Sequence, residues 1–478
     1  MSYPVIIQGG MGVGVSNWVL ANAVSKLNQL GVISGTFLDT VLIRRLQLGD
    51  LGGHIKRALD HFPNQDIAQC IYNNYFIIDG KKEEQSFKTL QMYNLNALKE
   101  RLQITVVSNF CEVFLAKEGH NNPVGINLLE KIQLPNLASL YGAMLAEVDY
   151  VIMGAGIPRE IPGVLDKYVD HKEASIRIHV ENAAPEDKFS MAFNPKEIVG
   201  EILKPLKRPK FLAIVSSATL AISLKRKSTG KVDGFIVEEA CAGGHNAPPR
   251  GKLNIDEKGE PIYGDKDFID IEKINNLGLP FWLAGSYGEP AKIQKALDHG
   301  AKGVQIGTPF AFCNESGLKS DYKKKIIQMI LDGKAEVFTD PKASPTGYPF
   351  KVFQMDDTVS DKTVYEARTR VCDLGFLRTA IKQDNNKIIY RCPAEPVDNF
   401  IRKSGDPKEL EGRKCLCNSL LAGIGLAQMR SSGYLEKAII TTGIELSLVT
   451  RFLKEGELSY SAADVIDILC PQLALAAT

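Results

Sequence analysis

His245 is the residue in this sequence best suited to acid–base chemistry. It lies in the stretch EEACAGGHNAPPRG (238–251), directly after an apolar run that predicts a β-strand. Two glycines before it expose the backbone, and two prolines after it stiffen the loop. Because an imidazole titrates near neutral pH, it can remove a proton from an activated C–H group or donate one. A structural loop histidine is the alternative, and we predict no metal site.

A glycine-rich stretch follows the first predicted strand, in VIIQGGMGVGVSN (5–17). The dinucleotide fingerprint G-x-G-x-x-G/A fails in both frames, because Asn17 or Val15 occupies its last position. The P-loop pattern fails as well, since no Lys-Ser/Thr pair follows. The functional interpretation is a bare strand end that a flat or phosphorylated group can approach. A tight turn without chemistry is the alternative.

Two further predicted strands end in small residues, in LAGSYGEP (283–290) and VQIGTPF (304–310). Gly285 and Ser286 offer backbone N–H groups and one hydroxyl, and Gly307 and Thr308 offer the same. In eight-stranded barrels, phosphate commonly binds at the loops after the seventh and eighth strands. These stretches therefore indicate a phosphate site, with two ordinary turns as the alternative.

The elements that must position these residues are eight short apolar runs. Most are continuous, which is typical of parallel strands buried on both faces. Helical patterns separate most of them, and this alternation predicts a TIM-like (β/α)₈ barrel, with an open Rossmann-type sheet as the competitor. A ninth run, IRIHVE (176–181), weakens the count. The eight runs are VIIQGG (5–10), GVISGT (31–36), VGINLLE (124–130), YVIMGAG (150–156), FLAIVSS (211–217), GFIVEE (234–239), FWLAGS (281–286) and GVQIGT (303–308).

Two regions do not follow this alternation. Residues 45–120 are polar and predict a helical insertion with solvated loops, so we assign 1–340 to the barrel and its insertion. Residues 341–478 predict a mainly helical region that packs on the barrel or on another subunit. Its Cys415 and Cys417 are one residue apart, with Cys372 and Cys392 far away in sequence. Buried thiols are the favoured interpretation, and metal binding or redox sensing are the alternatives.

Composition excludes several classes of function. The 478 residues carry a net charge of +1, so there is no broad basic field for nucleic acid or an anionic membrane surface. The longest mostly apolar run, residues 211–224, is too short to span a bilayer. Nine dispersed cysteines and an N-terminus without a signal-peptide pattern predict a reduced, cytoplasmic protein.

Six motifs, in order, resemble the nitronate monooxygenase family, formerly called 2-nitropropane dioxygenases. They cover roughly residues 5 to 310: IIQGGMG, GVISG, VGINLL, VEEACAGGHNAP, LAGS and GVQIGT. The family binds FMN, and the flavin-dependent enoyl-acyl-carrier-protein reductases are its close relatives. The resemblance implies a TIM-like barrel with FMN at the carboxyl ends of its strands.

The resemblance also implies roles for single residues. His245 matches the family's active-site histidine, and Asn127 would hydrogen-bond the edge of the isoalloxazine ring. Glu238 stands where many members have glutamine, and Ser286 stands where a second glycine is usual. The implied FMN-binding residues are Gly9, Gly10, Met11, Gly12, Asn127, Glu238, Gly243, Gly244, Gly285, Ser286, Gln305, Ile306, Gly307 and Thr308.

Three functions follow from the resemblance as expectations. The first is an FMN-dependent oxidoreductase that oxidises alkyl nitronates, small-molecule substrates, with dioxygen. The second is an NAD(P)H- and FMN-dependent enoyl-thioester reductase of fatty-acid or polyketide synthesis, with an acyl carrier protein as partner. This chain is similar in length to relatives that work beside such synthases. The third is a flavin-binding interaction subunit. The physiological substrate, the use of nicotinamide and assembly into a homo-oligomer stay open.

Overall fold

The computed structural model describes residues 3–471 and places the eight predicted strands in one parallel sheet. The sheet closes on itself, because Gln8 N of the first strand donates to Leu30 O, just ahead of the second (2.9 Å). The prediction of a (β/α)₈ barrel is therefore confirmed. Its strands are β1 (Ile6–Gln8), β2 (Gly31–Ser34), β3 (Val124–Leu129), β4 (Tyr150–Gly154), β5 (Lys210–Val215), β6 (Gly234–Glu238), β7 (Phe281–Ala284) and β8 (Gly303–Ile306).

Side chains that alternate along the strands fill the barrel interior. Trp282 is the largest of them, and its indole Nε1 donates to the Pro4 carbonyl (2.8 Å) at the amino ends of the strands. The residues between them point outward and are covered by helices, so the strands are apolar on both faces. The interior cluster is Ile7, Leu30, Val32, Tyr150, Ile152, Leu212, Ile236, Trp282 and Ala284.

Helices follow the strands around the outside of the barrel. The first begins after Asn17, whose side chain accepts a hydrogen bond from Leu20 N and so satisfies a free N–H of the first turn (2.9 Å). The helical patterns of the sequence are found at their expected places. The covering helices are Trp18–Lys26, Gln133–Leu145, Ile161–Val169, Ala218–Lys227, Ile271–Asn275, Pro290–Asp298 and Thr308–Phe312, with Asp265–Asp267 as a 3₁₀ turn.

Four helices lie between β2 and β3. A buried ion pair joins the first helix to the last, with Arg101 Nη2 2.9 Å from Asp39 Oδ2. Residues 76–98 form a loop between the third and fourth helices. The four helices are Leu38–Gln47, His54–Leu59, Gln65–Tyr75 and Lys99–Lys117.

The ninth apolar run does not enter the barrel. Strand Ala174–Arg177 pairs with Ser190–Phe193 as an antiparallel hairpin, followed by the helix Pro195–Ile198. Val180–Glu181 joins a separate small sheet with Thr379–Lys382 and Ile388–Arg391. The run is therefore divided between two small sheets outside the barrel.

The prediction of a mainly helical C-terminal region is wrong for its described part, 341–471; residues 472–478 lie outside the described residues. Its helices are short, because glycines, prolines and polar residues interrupt every apolar run, and long loops connect them. Strand Phe350–Phe353 pairs with Val337–Asp340 across the predicted boundary at 340. After the helix Ser320–Leu331, the helical segments are Lys362–Ala367, Val397–Arg402, Pro407–Leu410, Leu416–Gly423, Leu446–Phe452 and Ala462–Leu469.

The C-terminal region packs on the barrel. Arg44 of the first insertion helix is buried, and its Nη1 donates to the Leu426 carbonyl (2.6 Å). Phe37 and Phe376 stack with ring centroids 3.9 Å apart. Leu420 lies beside Gly12 at the end of β1. Within residues 3–471, no helix combines the length and the apolar character needed to cross a membrane.

Candidate active site

A cavity of about 400 Å³ lies at the carboxyl ends of the barrel strands. The structure brings every predicted site residue to this one cavity. The residues come from the ends of β1, β3, β6, β7 and β8, which are distant in sequence. In the closed sheet β6, β7, β8 and β1 are consecutive neighbours, and β3 is separated from β1 by β2 alone. They are Gly9, Gly10, Met11, Gly12, Asn127, Glu238, Gly243, Gly244, His245, Gly285, Ser286, Gln305, Ile306, Gly307 and Thr308.

The strand end after β1 passes very close to the end of β3. A Cβ added at Gly10 would lie 2.3 Å from Asn127 Cβ, so only glycine fits at this position. Ser16 holds the turn, because its Oγ accepts from Met11 N and donates to the Gly9 carbonyl (both 2.9 Å). The glycine-rich stretch after β1 thus forms one wall of the cavity, mostly from backbone atoms.

Three side-chain oxygens in the cavity wall are buried without a hydrogen-bond partner among the described residues. They belong to Asn127 (Oδ1), Gln305 (Oε1) and Thr441 (Oγ1). Buried polar atoms are nearly always paired in native proteins, so an orphaned group needs a reason. Three such atoms around one cavity indicate that a polar ligand supplies the missing partners.

Glu238 is the last residue of β6 and faces the cavity. Burial raises the pKa of its carboxyl to about 7, and the nearby Lys351 ammonium opposes this rise. At neutral pH the group is therefore close to half protonated. A protonated carboxyl donates a hydrogen bond, whereas the carboxylate only accepts.

His245 is enclosed by side chains of the C-terminal region. Its Nε2 lies 2.7 Å from Ser344 Oγ, and its ring is tilted against Phe350 with centroids 4.7 Å apart. Burial lowers the pKa of His245 to about 4, and the positive charge of Lys131 adds to this effect. The imidazole is therefore neutral at pH 7, which favours a role as a hydrogen-bonding group over a strong base.

Lys351, which sequence reasoning missed, holds the loop that carries His245. Its backbone N donates to the Gly244 carbonyl (3.0 Å), and its buried Nζ donates to the Ala240 carbonyl (2.6 Å) and to Asn246 Oδ1 (2.5 Å). Burial lowers the pKa of this ammonium to about 8. In the sequence the residue stands in YPFKVF, and nothing in that pattern indicates a contact with the histidine loop.

The strand ends after β7 and β8 form the part of the cavity wall between the ends of β6 and β1. Gly285 has φ of 124°, and Ser286 has φ of 58°, in the left-handed region that non-glycine residues rarely adopt. The Thr308 hydroxyl accepts from Gly443 N (2.9 Å) and lies 3.2 Å from Thr442 Oγ1. A segment of the C-terminal region thus completes the side on which the sequence predicts a phosphate.

The C-terminal region supplies much of the remaining wall. Sequence reasoning predicted only that this region packs on the barrel or on another subunit. It did not identify the residues of this wall, because their contacts with the barrel join positions far apart in the chain. The lining residues from this region are Tyr348, Phe350, Leu377, Leu416, Leu420, Thr441, Thr442, Gly443, Glu445 and Leu448. Cys241, in the loop of His245, lines the cavity as well.

Comparison with known proteins gives one family match. Residues 122–345, which contain β3 to β8, match the family model described as nitronate monooxygenase. A probable nitronate monooxygenase from Bacillus subtilis (strain 168) is 30% identical over 140 residues, which are 29% of this chain and 37% of that protein.

Two other similar proteins have different descriptions. A (3aS,4S,5R,7aS)-5-hydroxy-7a-methyl-1-oxo-octahydro-1H-indene-4-carboxyl-CoA dehydrogenase from Mycobacterium tuberculosis (strain ATCC 25618 / H37Rv) is 26% identical over 30% of this chain and 36% of that protein. The solved structure of FabK from Thermotoga maritima is 16% identical with a TM-score of 0.48, over 100% of this chain and 94% of that chain. The matched segments span well under half of the two curated relatives. The family model and the Bacillus protein show that this chain is related to the nitronate monooxygenase family.

Proposed function

We propose that this chain is an FMN-dependent oxidoreductase that oxidises alkyl nitronates with dioxygen. The observation that carries the proposal is the single cavity at the carboxyl ends of the strands, where all fifteen predicted site residues meet. The family relation of β3 to β8 supports the same conclusion. In TIM barrels, active sites are found at this end.

The residues around the cavity fit FMN. A flat ring needs a wall with few side chains, and the stretch from Gly9 to Gly12 provides one, in which Met11 carries the only side chain. The unpaired oxygens of Asn127 and Gln305 are acceptors for polar N–H groups of a ring edge. The turns after β7 and β8 would hold the phosphate through backbone N–H groups, as in other barrels. When bound, FMN supplies the electron acceptor that no side chain of this site provides.

Glu238 would then contact the flavin, and His245 would contact the substrate. The protonated form of Glu238 donates a hydrogen bond, as the glutamine amide of many family members does. The neutral His245 imidazole, fixed by Ser344, would orient the nitronate by a hydrogen bond. The apolar side chains of Leu377 and Leu416 would exclude water from the same space.

The test uses the full-length purified protein. We expect a yellow protein with a flavin absorbance spectrum, and heat release should identify the cofactor as FMN. Oxygen uptake should require an alkyl nitronate such as propane-2-nitronate and should need no NAD(P)H. A colourless protein that neither binds added FMN nor consumes oxygen would overturn the proposal.

Enoyl-thioester reduction is a second candidate function. The apolar side chains of Leu377, Leu416 and Leu420 line the cavity and would suit an acyl chain. One curated relative is described as acting on a CoA thioester. Under this alternative, an acyl carrier protein would be the partner that delivers the substrate.

The two candidates differ in one pair of assays. NAD(P)H should bleach the yellow protein under argon only if the chain is a reductase, and an enoyl thioester should then restore the colour. Oxygen uptake with nitronate alone supports the first function. Bleaching and recovery, with no nitronate-dependent oxygen uptake, would replace it with the second.

A further inference from the structure

Four cysteines from three separate segments line one small internal cavity in the C-terminal region. They are Cys372, Cys392, Cys415 and Cys417, and none forms a disulfide. Leu377 and Leu416 also line this cavity, and the same two side chains line the candidate active site. The thiol cluster therefore lies directly behind the apolar wall of that site. Nothing in the proposed function uses it.

The thiols in this cluster differ in their surroundings. Cys372 is partly exposed; the neighbouring Cys392 thiol lowers the pKa of Cys372, burial opposes this, and the Arg378 guanidinium supports the thiolate. Cys392 is buried, and its pKa is raised by the interaction with Cys372 and by burial. Burial likewise raises the pKa of Cys415 and Cys417. One accessible thiol is thus activated beside a protonated neighbour.

This arrangement favours a reactive thiol pair over a metal site. Within residues 3–471, no group of three or more His, Cys, Asp or Glu side chains is arranged to hold a metal ion. Redox-sensing cysteines, by contrast, are accessible, have a low pKa and lie next to a second cysteine.

We propose that Cys372 and Cys392 are a redox-active dithiol that hydrogen peroxide oxidises to a disulfide. In the first step Cys372 sulfur attacks a peroxide oxygen, the O–O bond breaks, and a sulfenic acid and one water form. In the second step Cys392 sulfur attacks the sulfenic sulfur, the S–O bond breaks, and a second water leaves with the Cys392 proton. The two thiols lose two electrons and two protons, and the peroxide accepts them.

The disulfide would join two segments behind the active-site wall. Cys372 lies five residues before Leu377, and Cys392 directly follows the strand Ile388–Arg391. Asp373, next to Cys372, also binds Arg430 and Asn418 (2.6 and 2.8 Å), so the Cys372 segment is already held in place. The disulfide would thus join this fixed segment to the end of the strand Ile388–Arg391.

The experiment uses the full-length protein, reduced and then freed of reductant. Its zinc and iron content is measured first, and hydrogen peroxide is then added in equimolar amount. We expect no stoichiometric metal, the loss of two free thiols per chain, and a tryptic peptide pair linked through Cys372 and Cys392. Dithiothreitol should restore both thiols. Stoichiometric metal released by thiol reagents, or a peptide map without this linkage, would overturn the proposal.

Three variants separate the roles of the two thiols. Cys372→Ser should slow peroxide-dependent thiol loss at least about tenfold, since it removes the sulfur that attacks the peroxide. Cys392→Ser should stop at the sulfenic acid on Cys372, which dimedone labels. The control Cys70→Ser removes an exposed thiol outside the cluster and should behave as the parent chain. Equal oxidation rates in all three variants, with native circular dichroism spectra, would also contradict the proposal.

Discussion

Glu238 gives the candidate site a carboxyl group that titrates near pH 7. Burial raises its pKa from 4.5 to about 7, so the donor form dominates below neutral pH and the charged form above it. The charged form would oppose negative charge that develops in the cavity during turnover. We therefore expect kcat/KM for the nitronate to fall as the pH rises through about 7, and Glu238→Gln to remove this fall.

The free energy of unfolding should also depend on the titration of Glu238. Because the folded state holds the Glu238 proton more tightly than the unfolded chain does, the free energy of unfolding should fall between pH 4.5 and about pH 7. In Glu238→Gln this contribution is absent, so the variant should lose less stability over that range in urea unfolding. Glu257→Gln, at an exposed position, is the matched control. Identical pH profiles for Glu238→Gln and the parent chain would show that Glu238 is not the titrating group.

His245 should act as a neutral group. With a pKa of about 4, its imidazole does not change charge between about pH 5 and pH 8, so it should produce no step in activity over that range. His245→Ala should retain FMN and lose turnover by about 10²-fold or more, in the range usual for a positioned acid–base or orienting side chain. Turnover and bound flavin are measured on the same preparation.

A second variant separates orientation from proton removal. Glutamine can donate and accept hydrogen bonds but cannot take up a proton, so His245→Gln should recover part of the turnover lost in His245→Ala. If turnover in His245→Gln is as low as in His245→Ala, the result would favour His245 as a base. Full activity in His245→Ala would exclude any direct role of this side chain.

The strand Phe350–Phe353 connects the C-terminal region to the loop of His245. Lys351→Met keeps the length of the side chain but leaves the Ala240 carbonyl and Asn246 Oδ1 without their donor. We expect a loss of about 1–3 kcal/mol in the free energy of unfolding, the cost of unsatisfied buried acceptors. Turnover should fall together with stability, because the loop that fixes His245 becomes less ordered.

The control for Lys351→Met is Lys324→Met, on the helix Ser320–Leu331. Lys324 is exposed, so its replacement should change the free energy of unfolding by less than about 0.5 kcal/mol. Urea unfolding and initial rates measure both effects. If Lys351→Met were more stable than the parent chain and equally active, the cost of burying the charge would outweigh its hydrogen bonds, and Lys351 would not be a positioning residue.

The barrel could be predicted because its strands carry a local signal. Parallel strands covered on both sides are continuous apolar runs, such as Phe281–Ala284, and their ends are marked by glycines. The candidate site follows from the same signal, because a barrel brings all strand ends to one rim. The run 176–181 shows the limit of this reasoning, since its pattern does not tell which sheet it joins.

The C-terminal part of the site could not be predicted because its contacts are made at long range. Thr441 to Gly443 complete the cavity beside Thr308, more than a hundred residues away, and no motif marks them. Lys351 follows a proline-containing loop that predicts no strand. The four clustered cysteines are scattered along the chain, so their proximity depends on the fold of a region with little periodicity.

At the scale of the whole molecule, the barrel and the C-terminal region share one cavity and one interface. The barrel provides the strand ends, and the C-terminal region provides the apolar wall and the residues around His245. Hydrogen bonds such as Arg44 Nη1 to the Leu426 carbonyl join the two parts. We therefore expect them to unfold as one cooperative unit, so that a substitution that destabilises one part also lowers the stability of the other.

Glu436 provides the means to test this cooperativity. It accepts two hydrogen bonds from Arg368 (2.7 and 2.9 Å) inside the C-terminal region, and both side chains are buried. Glu436→Gln removes the charge that compensates Arg368, and loss of one partner of a buried ion pair costs about 3–5 kcal/mol. The chain's two tryptophans, Trp18 and Trp282, both lie in the barrel, so their fluorescence follows the unfolding of the barrel.

In urea, the Glu436→Gln variant should therefore lower the midpoint of the tryptophan fluorescence transition and that of the far-ultraviolet circular dichroism transition by the same amount. Glu455→Gln, at an exposed position in the same region, should move neither midpoint. A fluorescence midpoint unchanged in Glu436→Gln while the dichroism midpoint falls would mean that the barrel unfolds independently. In that case the C-terminal region would be a separately stable cover on the cavity, and turnover should be lost at lower urea than the barrel signal.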